Sequence, residues 1–258
     1  MKKIVAFLLV AVMAVLAVVS CAPLTPEEVI ANADKALEGE KYKVSANISV
    51  DCDHPEYGEI FSQIFTSSLG GVEYYFDGGN FLTEISMELM GFKMDMSVSA
   101  VGNTVYVSMA DNKMKATATS EQINDLIANM NSENGVASVE DFAELSMVEE
   151  NGKTYITCTV YDAEKINELV DEAKTMFGML DDDIGISVSD VKLVATINDG
   201  KYEDLTMFVG YSFNADGEAV TVDMSMGMVF DYAAGKEISA PADAESYEEV
   251  DFGDLGLG

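Results

Sequence analysis

Residues 191–230 decide the fold, and they read VKLVATINDGKYEDLTMFVGYSFNADGEAVTVDMSMGMVF. Three runs in which apolar and polar residues alternate are separated by two turn signals, NDGK at 198–201 and NADGE at 214–218. Alternation with a period of two is typical of strands with one buried face, and Asp-Gly between such runs indicates a hairpin. This stretch therefore predicts three consecutive antiparallel strands.

The same pattern recurs along the chain from Tyr42 onward. Further alternating runs are separated by DGGN at 77, VGN at 101 and ENGK at 150. Counting the runs gives about ten to twelve strands, most of them joined by tight turns. The sequence therefore predicts one antiparallel, meandering sheet.

Three short helices are predicted beside this sheet. The first begins with a capping box, in which Thr25 is the N-cap and Glu28 its reciprocal partner, and stops at Gly39. The second is predicted within 119–130 and the third within 162–180, and both have one apolar face. Short amphipathic helices that accompany an antiparallel sheet indicate an α+β protein whose helices lie against the sheet.

The N-terminal segment 1–20 is predicted to be an export signal. Two lysines precede an apolar run at 4–19, whose 16 residues fall short of the ~20 that a membrane-spanning helix needs. The segment leads into VVSC at 18–21, which resembles the bacterial lipobox. That resemblance implies that residues 1–20 are removed and that Cys21 carries a lipid. The alternative is a secreted protein that is cut near Ala22.

The charge of the mature chain restricts its partners. Removal of residues 1–20 leaves 12 Lys and no Arg against 46 acidic residues, a formal charge of −34. Nucleic-acid binding is disfavoured, because it depends on clustered Lys and Arg at the phosphates. The charge also holds the protein body away from anionic headgroups, so the lipid on Cys21 would make the membrane contact. The segment 244–258 has five acids and no Lys, and we expect it to fray.

Cys52 and Cys158 are the two remaining cysteines, and both lie in segments with the strand pattern. Export would place them in a compartment that permits disulfides, so a bridge between Cys52 and Cys158 is one alternative. Two buried thiols are the other alternative, and the sequence favours neither.

No residue pattern indicates catalysis or a bound cofactor. His54 is the only histidine, which excludes the zinc motifs that need two. The sequence has no G-x-S-x-G motif, and none of its many carboxylates is singled out as a catalytic pair. We therefore expect no enzyme activity, no cofactor and no metal centre.

Alternating methionines mark one face of the strand at the end of the quoted stretch. Met224, Met226 and Met228 fall on every second position. Alternate side chains of a strand share a face, and this face is predicted to lie towards the helices together with part of the preceding strand. The predicted apolar ligand face comprises Met207, Val209, Val222, Met224, Met226, Met228 and Phe230.

Three uses fit such a face. Thioethers accommodate apolar ligands of varied shape, bind cuprous ion, or fill gaps in an ordinary core. Copper sites gather a few thioethers, often with His or Cys, whereas these methionines are spread along a sheet. We therefore expect this face to bind an apolar ligand, and copper binding is the second hypothesis. Most of the methionines are expected to pack in the core.

The order of these features resembles the LolA, LolB, LppX and LprG superfamily. The resemblance rests on the lipobox Cys21, the short capped helix and the long antiparallel meander, over about residues 25–250. MDMSVSAVGNTVYVSM at 94–109 and ISAPADAESYEEV at 238–250 are also similar to Met-rich lipoproteins of Gram-positive bacteria. The resemblance implies a half-open β-barrel, in which a strongly curved sheet wraps short helices and leaves an apolar cavity for acyl chains. It implies no catalytic residue.

These observations lead to one expected function and one alternative. We expect an extracytoplasmic lipoprotein, anchored to the cell membrane through Cys21, that binds a lipid or acyl chain on the concave face of its sheet. The alternative is a cell-envelope scaffold or sensor that binds another protein or, less favoured, a Met-rich lipoprotein that binds copper. The expected organisation is a signal at 1–20, a lipid-anchored tether at 21–24, a single LolA-like domain at 25–243 and an acidic tail at 244–258.

Overall fold

The structure is a computed structural model, and it describes residues 24–54, 58, 71–89, 92–110, 112–133, 139–177, 185–215 and 218–255. The predicted signal and the predicted lipidation site Cys21 lie outside these residues. Among the helices that are described, none is long and apolar enough to cross a membrane.

The described residues form three α-helices and twelve strands. The helices are α1 (Pro26–Leu37), α2 (Ser120–Glu133) and α3 (Ala163–Phe177). The strands are β1 (Lys41–Cys52), β2 (Val72–Asp77), β3 (Asn80–Leu89), β4 (Phe92–Val101), β5 (Thr104–Met109), β6 (Asn112–Thr117), β7 (Phe142–Glu150), β8 (Lys153–Tyr161), β9 (Ser187–Asn198), β10 (Lys201–Ala215), β11 (Glu218–Asp231) and β12 (Glu248–Glu249). Short 3₁₀ helices cover Val139–Asp141, Ala244–Ser246 and Phe252–Leu255.

All twelve strands belong to one sheet, in the order β12-β6-β5-β4-β3-β2-β1-β11-β10-β9-β8-β7. Neighbouring strands are antiparallel, except that β12 runs parallel to β6. The sheet is curved and unclosed, with β12 and β7 at its opposite edges. The predicted α+β fold, a large curved antiparallel sheet with short helices, is confirmed.

Two meanders make up the sheet, and β1 joins them. Strands β1 to β6 follow one another along the chain, as do β7 to β11. β1 pairs with β11 from Lys43↔Asp231 to Cys52↔Val222. This pairing makes one continuous surface of the two meanders.

The hairpin turns have the backbone that their sequences predict. Asp199 and Gly200, between β9 and β10, have φ angles of 50° and 75°. Asn151 and Gly152, between β7 and β8, have φ angles of 53° and 81°. Positive φ at both central residues is typical of the type I′ turn, whose twist matches that of the two strands. The Asn-Gly and Asp-Gly signals were therefore sufficient to place these hairpins.

The helix caps also follow from the sequence. Thr25 Oγ1 accepts a hydrogen bond from the Glu28 backbone N–H at 3.3 Å, and the Thr25 N–H donates to Glu28 Oε2 at 2.9 Å. Thr119 and Gln122 form the same reciprocal pair before α2. Asp162 accepts bonds from two backbone N–H groups in the first turn of α3. Each cap satisfies backbone donors that have no partner within the helix.

The three helices pack on one face of the sheet, which we call the inner face. Ile30 and Ala33 of α1 and Leu169 of α3 share a core cluster with side chains of β7 to β11. Ile123 and Leu126 of α2 belong to a second cluster with side chains of β3 to β6. We call the opposite face of the sheet the outer face. In these two clusters, none of the three described helices packs on it.

The chain after β11 crosses the outer face of the first meander. We call residues 232–249 the strap. The Lys236 ammonium lies 3.6 Å from the centre of the Tyr75 ring on β2, a cation–π contact. Further along, the Tyr247 ring meets the Tyr106 ring of β5 edge-on, with 5.4 Å between centroids. Lys115 Nζ of β6 donates to the Ala244 carbonyl at 3.0 Å. The strap thereby reaches the sheet edge, where β12 pairs with β6.

Beyond β12 the chain turns around that edge and returns to the inner face. We call residues 250–255 the hook. Val250, Phe252 and Leu255 pack into the cluster beneath α2, and Leu255 is 4% exposed. The prediction that the acidic segment frays is therefore wrong for 244–255. Three apolar side chains within the acidic segment reach a core that the sequence pattern alone does not locate.

Leu255→Ala should lower the free energy of unfolding by about 2–4 kcal/mol, because it removes a buried side chain and leaves a cavity. The matched control is Asp254→Ala, since Asp254 is exposed in the same turn. Urea denaturation followed by circular dichroism measures both variants. Equal stability of the two variants would contradict the packing of the hook.

Candidate apolar ligand site

The pairing of β10 with β11 brings the predicted methionines together. Met207 is the cross-strand partner of Met226, and Val209 is the partner of Met224. On the other side of β11, Ile48 of β1 is the partner of Met226. This register puts the predicted residues of β10 and β11 on one apolar face of the sheet.

Four of the seven predicted face residues are fully covered. Met207, Val209, Val222 and Met224 are 0%, 1%, 0% and 4% exposed, and all four belong to the cluster that contains Ile30 and Leu169. Within this cluster α1 contacts β10, and α3 contacts β9. These four side chains act as core, and a ligand could reach them only if the groups that cover them moved.

Phe230 belongs to an aromatic cluster that closes one end of the inner face. Its ring stacks on Tyr202 with 5.5 Å between centroids and lies 6.1 Å from the ring of Tyr42. The Tyr202 O–H donates to Asp34 Oδ1 of α1 at 2.8 Å. Burial, and then this hydrogen bond, raise the pKa of Tyr202, and burial raises the pKa of Tyr42 to about 12. Both rings stay neutral at physiological pH.

The two remaining predicted residues, Met226 and Met228, are only partly buried. Met228 lies in a row of side chains that crosses ten neighbouring strands on the inner face. We call it the transverse row. From β5 to β7 its members are Met109, Met96, Ile85, Val72, Ala46, Met228, Leu205, Ala195, Ile156 and Met147.

Exposure changes along the transverse row. Ala195 and Ile156 are 0% exposed within the core of the second meander. The members from Leu205 to Met96 are partly buried, and Met109 is 42% exposed. We call this accessible part the strip, and it comprises Leu205, Met228, Ala46, Val72, Ile85, Met96 and Met109. All seven side chains are apolar, and the next position in register, on β6, is the exposed Asn112.

The strip has a wall along one side. The next inner-face row includes Val44 and Tyr74, which are buried beside the aromatic cluster, and Val98 and Val107, which are buried beside the hook. Towards the other side, Met94 of β4 is 41% exposed. The strip is therefore an apolar ledge below a packed wall.

Five members of the strip lie on strands that sequence reasoning did not assign to the ligand face, namely Ala46, Val72, Ile85, Met96 and Met109. Their alternation was visible, and the turn VGN at 101 places Met96 opposite Met109 in the β4–β5 hairpin. The signal was insufficient because the join between the two meanders, β1 with β11, is not encoded by a turn.

The outer face offers a groove of a different character. Its volume is about 400 Å³, and Asp51, Asp190 and Asp223 contribute to its lining. Phe208, 40% exposed, lies below the Lys192 ammonium, which is 4.9 Å from the ring centre. Within the described residues, no group of three His, Cys, Asp or Glu side chains could hold a metal ion. Charge makes this groove a poor site for an apolar ligand.

Residues 25–248 match DUF6612, a family of unknown function. The chain belongs to the DUF6612 family. No curated protein matches the chain.

Two solved structures resemble this DUF6612 protein at low identity. LprF from Mycobacterium bovis is 12% identical, with a TM-score of 0.37, and the match covers 85% of this chain and 98% of that chain. The ywiB protein from Bacillus subtilis is 8% identical, with a TM-score of 0.17, and the match covers 77% and 93%. The fold assignment of this DUF6612 chain rests on its own strand order and pairing.

Cys52 and Cys158 are both free thiols in this DUF6612 chain. Strands β11, β10 and β9 lie between β1, which carries Cys52, and β8, which carries Cys158. Four steps between strands correspond to about 19 Å along a sheet, whereas a disulfide needs Cα atoms within about 7 Å. Of the two alternatives that the sequence left open, the structure shows two thiols.

In the folded protein that comprises residues 22–258, the two thiols should differ in their reactivity towards a thiol reagent. Cys158 is 0% exposed, and burial raises its pKa to about 11, so it should react with a thiol reagent only after unfolding. Cys52 is partly exposed and should react first, although burial also raises its pKa. Timed alkylation and intact mass measure this order. Absence of any free thiol in the unreduced, denatured chain would show that the bridge forms after all.

Proposed function

We propose that this protein is a membrane-anchored extracytoplasmic lipoprotein, without enzyme activity, that binds a lipid or acyl chain on the inner face of its sheet. The observation that carries the proposal is the strip, where seven apolar side chains on seven neighbouring strands remain accessible. An accessible apolar surface of this extent is typical of a binding site rather than of a closed core.

The chemistry of the strip suits a flexible apolar ligand. Three of its seven side chains are methionines, whose unbranched thioethers adapt to ligands of varied shape. Burial of apolar surface is favourable by roughly 25 cal/mol per Å², so an alkyl chain that covers the strip gains affinity at every methylene. A charged ligand would gain no partner there, since the strip has no polar side chain.

The predicted anchor would bring a supply of such ligands close to the strip. Only three residues separate Cys21 from Thr25, the N-cap of α1, which at ~3.3 Å per residue keeps the two within roughly 15 Å. α1 itself packs on the inner face. A lipid on Cys21 would therefore hold the inner-face helix near the membrane, where acyl chains are abundant. The mature chain has a formal charge of −34, so anionic headgroups would repel its surface. Electrostatic attraction of the surface could therefore not replace that lipid as the membrane contact.

Met228→Asp should weaken the binding of a long acyl chain, because it places a carboxylate beside Leu205 in the strip. The matched control is Val229→Asp on the outer face of the same strand, where Val229 is already 45% exposed. The measurement is titration of the purified 22–258 chain, freed of bound lipid, with a fluorescent fatty-acyl probe. Mass spectrometry of an organic extract should also detect co-purified lipid in the original chain. Absence of both lipid and probe binding would favour the scaffold alternative, and tight cuprous binding that Met224→Leu removes would favour copper.

Cys21→Ala should release the protein from the membrane, because the lipid on Cys21 would be the membrane-seeking element of the mature chain. The variant and the original are expressed with the signal in a bacterium, and both are partitioned between detergent and aqueous phases. Only the original should enter the detergent phase. Retention of the variant there would show that something other than Cys21 holds the protein at the membrane.

A further inference from the structure

We propose that a bound acyl chain lies across the strands, along the strip from Leu205 to Met109, and that the strip thereby selects long chains. This inference rests on the proposed function and adds to it the direction of the ligand and its length class. Along the strip, an accessible apolar side chain on each strand is followed by another on the next strand, over seven strands.

The wall beside the strip closes a path along a strand in one of its two directions. A chain that ran along β11 from Met226 past Met228 would meet Phe230, whose ring stacks on Tyr202 and lies beside Tyr42. A chain that ran along β4 from Met96 would meet Val98 and then Ala100, which are 4% and 0% exposed beneath the hook and α2. Across the strands, in contrast, each strip residue is followed by another apolar, accessible side chain.

The two ends of the strip differ in kind. At the β10 end the transverse row continues to Ala195, which is 0% exposed, so the accessible path ends against packed core. At the β5 end the next residue in register is Asn112, which is exposed and polar. A carboxyl or other polar headgroup would keep its water at the Asn112 end, whereas burial at the Ala195 end would remove that water. The headgroup is therefore placed near β5 and β6, and the methyl end of the chain towards β10.

The number of strands sets the length class. Leu205 and Met109 are separated by six steps between strands, which at about 4.8 Å per step give at most about 29 Å. The hydrocarbon core of a bilayer is about 30 Å thick and contains two layers of acyl chains, so one ordinary membrane chain extends about half that distance. A chain of ordinary length would thus cover about half of the strip. Longer chains should bind more tightly, by up to about fourfold for each added methylene that stays on the strip.

Photo-crosslinking of the full, exported and membrane-anchored chain tests the direction. Bacteria that express the protein are fed fatty acids of increasing length, each with a photoreactive diazirine at the methyl end. Peptide mass spectrometry then locates the cross-linked residue. As the acid lengthens, the cross-link should move from strand to strand along the strip, from the β3 and β2 members towards Met228 and Leu205. Cross-links that stay on one strand at every length would overturn the transverse direction, and cross-links to α1, α2 or the outer face would do so as well.

A pair of variants at the two ends tests the length class. Leu205→Ala removes the last strip side chain at the β10 end, where the methyl end of a long chain would lie, so it should reduce labelling by the longest acid severalfold and leave labelling by the shortest unchanged. Met109→Asp, at an exposed position, should reduce labelling by acids of every length. Thr206→Ala and Ser108→Asp, on the outer face beside these positions, serve as controls, and circular dichroism verifies that all four variants fold. Equal loss for short and long acids in Leu205→Ala would overturn the selection of long chains.

The same data separate this inference from the function on which it rests. If no acid of any length labels the inner face, the proposed function fails. If acids label the strip residues but the site does not move with length, the function stands and the transverse path is wrong.

Discussion

The pairing of β1 with β11 is the interaction on which the rest of the structure depends. It joins residues about 180 positions apart in the sequence, from Lys43↔Asp231 to Cys52↔Val222. Without it, β1 to β6 and β7 to β11 would be two separate meanders, each with an additional open edge. The transverse row would end at Ala46 on one side and at Met228 on the other. Because a contact this distant closes a long loop, its entropic cost must be balanced by the apolar pairs that it brings together.

The local parts of the fold could be predicted because their causes are local. The Asp199-Gly200 and Asn151-Gly152 turns determine their hairpins through positive φ angles that few other residues tolerate. Thr25 and Glu28 determine the start of α1 by the same kind of short-range chemistry. The β1–β11 pairing has no such signal, since no turn connects the strands and several alternating runs could have paired with β1. The number and type of elements followed from the sequence, and the order of the strands did not.

The candidate site shows the same division between local and distant causes. Alternation correctly placed Met224, Met226 and Met228 on one face of β11. It could not distinguish Met224, which is 4% exposed, from the partly exposed Met226 and Met228, because the difference depends on tertiary packing. Period-two patterns report which face a side chain occupies, and only tertiary packing decides whether that face is covered.

The placement of the C-terminal segment shows a related limit. Residues 244–255 have the composition of a disordered tail, yet Val250, Phe252 and Leu255 reach the cluster beneath α2. Their spacings of two and then three residues do not repeat, so no sustained pattern marks them as core. Their burial depends on the strap, whose Lys236 and Ala244 contacts direct the chain across the outer face to the edge of the sheet.

The two edges of the open sheet are protected by different means, and this difference gives the acidic composition a structural role. An unpaired edge strand is a template for association with another copy, and charged or very short edge strands discourage that association. At one edge, β12 is two glutamates long and the hook holds it against β6. At the other edge, β7 exposes Val148 at 61%, with exposed Glu149 and Glu150 directly after it. Pairing of the two edges between copies would bring glutamates of both together, and the whole-chain charge would oppose the encounter. Charge therefore opposes edge-to-edge pairing of this open sheet, and a neutral sequence of the same pattern would lack that protection.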